Sequence, residues 1–95
     1  MTIENSLQWT QCETEFDNKI AKIPDLAMAR QARKMLFNFN AMIKKLSQFE
    51  LEARTSYSGN KRKVNEQLAI INTELSNFDQ WILLLILIGK TDDNV

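Results

Sequence analysis

The chain has 95 residues, with 12 Lys and Arg against 12 Asp and Glu, no His, one Cys, one Pro and two Gly. This length provides one small domain at most. A lone Cys12 without His excludes a zinc site of the usual kind, an intrachain disulfide and a Ser-His or Cys-His nucleophile pair. Two Gly are too few for a phosphate-cradling loop, and a neutral chain is atypical of dedicated nucleic-acid binders. We therefore expect no enzyme activity and no cofactor.

The sequence carries no sign of export or membrane insertion. Residues 1–5 have no basic stretch leading into an apolar run, so we expect no signal peptide. The single thiol fits a reducing compartment, which favours a cytoplasmic location. The most apolar stretch, residues 81–88, would cover only about 12 Å as a helix, against roughly 30 Å of bilayer hydrocarbon. We therefore expect no transmembrane segment.

Three breaks divide the chain. Pro24 ends any preceding helix, and Asp25 suits the first turn of the next one. Residues 56–60 are the one turn-like cluster, in which Gly59 can take a positive φ. Gly89 follows the apolar run as a C-cap. These breaks predict helices at about 3–23, 25–56 and 60–88, followed by a frayed tail at 90–95.

The first segment has one apolar helical face. Its members are Trp9, Cys12, Phe16, Ile20 and Ile23. Cys12 is interpreted as a buried structural thiol, with a redox role or an intermolecular disulfide as the alternative. Glu15 and Lys19 are spaced for an i, i+4 ion pair. Glu13 and Asp17 are interpreted as part of a solvated face, since no His or obvious pocket accompanies them.

The second and third segments have apolar residues at alternating spacings of four and three, which is the coiled-coil pattern. In the second segment these are Met28, Ala32, Met35, Phe39, Met42, Leu46, Phe49 and Ala53. In the third they are Val64, Leu68, Ile71, Leu75, Phe78, Ile82 and Leu85. If the chain reverses near Gly59, facing residues such as Phe39 and Phe78 have numbers that sum to 117. The pattern predicts an antiparallel hairpin of two helices, each roughly 45 Å long.

The predicted fold is all-α: a short N-terminal helix plus a long antiparallel two-helix hairpin, completed by oligomerisation or a partner. The first helix should cover the lower half of the hairpin, which is the half away from the turn. There the end of the third helix is apolar on every side. The upper half, next to the turn, should have no third helix packed on it. Ile43, Leu51 and Ile70 lie there outside the seam, which is the set of heptad positions where the two helices face each other. Such apolar flanks usually mark association surfaces.

These features favour a non-enzymatic protein–protein interaction module, such as a small helical chaperone, adaptor or inhibitor of a secretion system or of phage or plasmid origin. Its partner would be another protein, a second copy of the chain in a homodimer, or both. The predicted contact residues are Trp9, Phe16, Phe37, Trp81 and Leu84. Met28, Met35 and Met42 are interpreted as core residues, and the alternative is an adaptable groove that repacks around a partner helix.

The alternative function is a nucleic-acid-associated helical dimer. Its contacts would be Arg30, Arg33 and Lys34 on the second helix, with Lys61, Arg62 and Lys63 beside the turn. Two i, i+4 pairs, Glu50 with Arg54 and Arg62 with Glu66, weaken this interpretation because solvated helices often carry such pairs.

Overall fold

The structure is a computed structural model that describes residues 3–55 and 59–93, with side chains described over 3–51 and 61–89. A 3-10 helix at Ser6–Gln8 leads into three α-helices, which are α1 (Trp9–Ile20), α2 (Leu26–Thr55) and α3 (Gly59–Asp93). The described residues contain no β-strand. The all-α prediction is therefore confirmed.

α2 and α3 form the predicted antiparallel hairpin. The rings of Phe39 and Phe78 lie 5.2 Å apart between centroids, which is the seam pair that the heptad register requires. The buried seam residues of α3 are Val64, Leu68, Ile71, Leu75, Phe78 and Ile82, with Leu85 partly buried. Residues 56–58 of the predicted turn lie outside the described residues, and Gly59 is the first residue of α3.

α1 packs along one flank of the hairpin, as its apolar face predicts. All five residues of that face are buried. The Phe16 ring lies 5.1 Å from that of Phe78, and Lys19 Nζ donates to Asp79 Oδ1 at 2.6 Å. Lys19 therefore pairs across helices with α3, whereas the sequence predicted a pair with Glu15 on its own helix.

The N-terminal segment corrects the prediction of a bare upper half. Residues 3–5 are not helical, and they continue past α1 toward the hairpin turn. Ile3 N donates to Asn72 Oδ1 at 2.9 Å, and Asn72 Nδ2 donates back to the Ile3 carbonyl at 2.8 Å. The Ser6 backbone N–H and hydroxyl both donate to the Glu50 carboxylate, at 3.0 and 2.7 Å. Ile43, expected to be exposed, is buried on this covered flank with only 3% of its surface accessible.

Two helix ends lie near Pro24, namely the start of α2 and the end of α3. Only the end of α3 differs from the prediction. Asp25 caps α2, because its Oδ1 accepts from the backbone N–H groups of Ala27 and Met28 at 2.9 and 3.3 Å. Gly89, however, does not end α3, which continues to Asp93. The predicted C-cap and the tail beginning at residue 90 are therefore wrong. Gly89 is instead an interior helix residue packed against the Pro24 ring.

Candidate interaction surface

The hairpin is covered on one flank and uncovered on the other. α1 and the N-terminal segment occupy the flank that includes Asn72 and Asp79 of α3. The opposite flank, here called the open face, carries two apolar rows. The methionine row of α2 consists of Met28, Met35, Met42 and Phe49, spaced seven residues apart. The α3 row consists of Ile70, Trp81, Leu84 and Ile88, with the exposed polar residues Glu74 and Asn77 between Ile70 and Trp81.

Helix geometry places the α3 row away from α1. Asp79 points at Lys19 of α1, and Trp81 lies two residues later, about 200° further round the helix. The Trp81 indole stacks on the Phe78 ring with centroids 6.2 Å apart and an interplanar angle of 28°. One side of the indole therefore belongs to the core, and Trp81 is only partly buried. The exposed edge of Trp81 is part of the open face.

Side chains on the open face are more exposed than seam residues normally are. Phe49, at a predicted seam position, is 46% exposed, and Ile70 and Leu84 are 52% and 53% exposed. Met35 and Met42 are partly buried. In the upper part of the face, Met42, Phe49 and Ile70 line a groove of about 220 Å³, which Lys45 and Glu74 also border. The upper part of the open face is therefore a largely apolar groove with charged residues at its edges.

The five predicted contact residues lie in three different places. Trp9 and Phe16 are buried in the core, at 5% and 0% exposure, and the Trp9 indole N–H donates to Asn40 Oδ1 at 3.1 Å. These two side chains are therefore not on the surface, because the amphipathic face of α1 packs inside its own chain. Trp81 and Leu84 belong to the open face. Phe37 is 72% exposed, and it borders a second groove that lies between α1 and α2.

The open face includes exposed apolar residues that are absent from the predicted contact set. Phe49 and Ile88 were not predicted as contact residues, although both are about half exposed. The heptad pattern contained the information needed to find these residues. One short helix can cover only one flank of a hairpin, so the other flank must expose its own apolar residues.

The basic residues of the alternative function do not converge. All six are exposed, but Arg30, Arg33 and Lys34 lie toward one end of the hairpin and Lys61, Arg62 and Lys63 toward the other. In the hairpin register the two clusters are separated along the hairpin axis by about 20 residues, or about 30 Å. Arg62 Nε also lies 3.9 Å from Glu66 Oε1, as its i, i+4 spacing predicts. Arg33 lines the groove between α1 and α2, which Glu13 and Asp17 also border.

The remaining candidate groups offer little chemistry. Cys12 is buried, as predicted, and burial raises the pKa of its thiol, with the nearby Glu15 carboxylate raising it further. A thiol with a raised pKa is a poor nucleophile at neutral pH. Among the described residues, no group of three or more His, Cys, Asp or Glu side chains is placed to hold a metal ion. Glu50 accepts from Ser6, and the side chain of its predicted partner Arg54 lies outside the described residues.

None of the described helices combines the length and apolar character needed to cross a membrane. No protein-family model, curated protein or solved structure matches the chain. The class that its geometry defines is an all-α helical hairpin with one flank covered by an N-terminal helix.

Proposed function

We propose that this chain is a non-enzymatic protein–protein interaction module that binds helical segments through the open face. The observation that carries the proposal is the asymmetry of the hairpin, in which one flank is covered by α1 and the other exposes two parallel apolar rows. A helix laid between two such rows would bury its own apolar stripe in the manner of helix-in-groove recognition. A small chaperone, adaptor or inhibitor acts in this way.

The composition of the two rows suits this role. Fully burying one large apolar side chain contributes about 1.5–3 kcal/mol before the costs of association are subtracted. Ile70, Leu84 and Ile88 are each about half exposed, so each has surface left to bury. The methionine row supplies unbranched side chains that adapt to different partner shapes. Trp81 offers a rigid aromatic anchor of the kind enriched at interface centres.

Photo-crosslinking tests the proposal directly. A photoreactive amino acid is placed at Leu84 or Ile70 in the open face, and at the exposed Lys44 on α2 as the control. We expect crosslinks to protein from the two open-face positions and a much lower yield from Lys44. Equal yields at all three positions, or no protein crosslink from the open face, would contradict the proposal.

The nucleic-acid alternative is tested separately by titrating a generic DNA duplex at low and at physiological salt. Because the two basic clusters are about 30 Å apart and do not form one continuous patch, we expect no binding at either salt concentration. Binding at low salt that is lost on charge reversal of Lys34 and Lys63 would favour the alternative instead.

A further inference from the structure

The open face has the form of one half of a two-fold interface, and we propose that it binds a second copy of this chain. The two hairpins lie face to face and point in the same direction, so that α2 of each copy packs on α3 of the other. The result is a four-helix bundle with the two α1 helices on its outer sides. This inference rests on the proposed function of the open face and names its partner.

The two rows match in height, which is the main argument for self-pairing. The contact between Phe39 and Phe78 fixes the register of the hairpin. Residues whose numbers sum to 117 lie at the same position along the hairpin axis. Ile88 is therefore one residue from the axial position of Met28, and Trp81 is one residue from that of Met35. At the other end, Ile70 lies two residues from the level of Phe49. A two-fold axis parallel to the hairpin leaves the position of each residue along that axis unchanged. It therefore places each α3 row against the methionine row of the other copy.

Helix direction favours the same arrangement. α2 and α3 are antiparallel within the chain, so stacking α2 of one copy on α3 of the other makes every neighbouring pair antiparallel. This is the usual arrangement of an up-down four-helix bundle, in which the helix dipoles of neighbours oppose each other.

Charge is consistent with a stable dimer. The chain has no net charge, so two copies approach without overall repulsion. Lys45 and Glu74 border the same groove at similar heights. In the dimer, Lys45 of one copy faces Glu74 of the other, which gives two pairs of opposite charge at the edges.

Sedimentation equilibrium of the full chain and two matched variants tests the proposal. Leu84→Glu places a charge in the open face, whereas Leu51→Glu makes the same change on the outer side of α2, where Leu51 is 65% exposed. We expect a wild-type mass of twice 11.1 kDa at high concentration and the same behaviour for Leu51→Glu. Leu84→Glu should raise the dimer dissociation constant tenfold or more, because the interface would bury an unpaired carboxylate. Far-UV circular dichroism checks that both variants are folded.

A monomeric wild-type chain from micromolar to millimolar concentration would overturn the proposal, as would equal weakening by both substitutions. If the chain is monomeric but Leu84 still crosslinks to other proteins, only the homodimer is wrong and the proposed function stands. If Leu84 crosslinks to nothing, both are wrong.

The orientation has its own test, which uses spin labels at Ala27→Cys in a Cys12→Ser background. In the proposed dimer the two labels have the same height, so their separation is about two helix diameters, or about 20 Å. An end-for-end dimer would separate them by about 35 Å along the axis, and a distance of that size would overturn the proposed arrangement.

Discussion

The ring of Pro24 lies directly against Gly89, so the turn between α1 and α2 touches the interior of α3. A Cβ atom built on Gly89 would come within 2.6 Å of Pro24 Cδ and overlap the rest of the ring. Contacts this short do not occur between real side chains, and a proline ring cannot rotate away. Gly89 is therefore required for close packing between the turn and α3, and it does not serve as a helix terminator.

Replacing Gly89 with Ala should lower the free energy of unfolding by about 1–3 kcal/mol, the usual cost of overpacking. The expected sign is informative, because an interior helix Gly→Ala change would otherwise stabilise the protein by about 1 kcal/mol. In a Pro24→Ala background the ring is absent, and the same change at Gly89 should become stabilising. Urea denaturation of the four proteins of this double-mutant cycle measures both effects. A stabilising Gly89→Ala in the wild-type background would show that the Pro24 turn and α3 do not approach this closely.

The ion pair between Lys19 and Asp79 should contribute modestly to the attachment of α1. Its side chains keep 30% and 23% of their surface accessible, so water and salt screen the pair. Asp79→Asn should therefore lower the free energy of unfolding by about 0.5–1 kcal/mol, and the loss should shrink at high salt. Glu66→Gln, which breaks the more exposed pair with Arg62, is the control and should have almost no effect. A larger loss for Glu66→Gln than for Asp79→Asn would contradict this assignment.

Asn72 should hold the N-terminal segment on the covered flank. Its side-chain amide makes two hydrogen bonds with the backbone of Ile3, whose side chain is 1% exposed. Asn72→Ala removes both bonds and should cost about 1–3 kcal/mol. Asn65→Ala, at an exposed position of α3, is the matched control. Hydrogen exchange should show faster amide exchange in residues 3–8 for Asn72→Ala only, and unchanged exchange there would mean that Ile3 is held by packing alone.

The hairpin could be predicted from the sequence because its information is local and periodic. Apolar spacings of four and three define each seam, and the turn cluster near Gly59 sets the register that places Phe39 against Phe78. The apolar face of α1 is periodic as well, so burial of Cys12 followed directly. The same periodicity made Trp9 and Phe16 look like contact residues, since an amphipathic stripe does not reveal whether its cover lies in the same chain.

The features that the sequence did not reveal depend on contacts between distant residues. Gly89 is placed where a C-cap is expected, and only the Pro24 ring explains why a glycine lies inside a continuing helix. Ile43 lies off the seam and is buried on the flank that α1 and a short N-terminal segment cover, and Asn72 and Glu50 anchor that segment. Neither anchor has a periodic signature, because a single amide or carboxylate on a helix surface is more often solvated.

Burial of the Cys12 thiol should make the stability of the protein fall at alkaline pH. Burial raises the pKa of the thiol above its ordinary value of 9.0, and the charge of Glu15 raises it further. Because the folded-state pKa is raised, the contribution of the protonated thiol to stability is complete below pH 9 and is lost as pH rises through the folded-state pKa. The stability of the wild type relative to Cys12→Ala should therefore fall between neutral pH and pH values above 9, as followed by urea denaturation. An unchanged difference across that range would mean that the thiol is not desolvated.

Trp81 should report occupation of the open face by fluorescence. In a Trp9→Phe variant Trp81 is the only tryptophan, and its exposed edge should become buried when the face is occupied. We expect its emission to shift to shorter wavelength and to become less accessible to iodide as protein concentration rises. Leu84→Glu should abolish this change. Trp81→Phe, which leaves only the buried Trp9, is the control and should show no dependence on concentration. If the mass doubles while the Trp81 emission stays constant, the chains associate through a surface other than the open face.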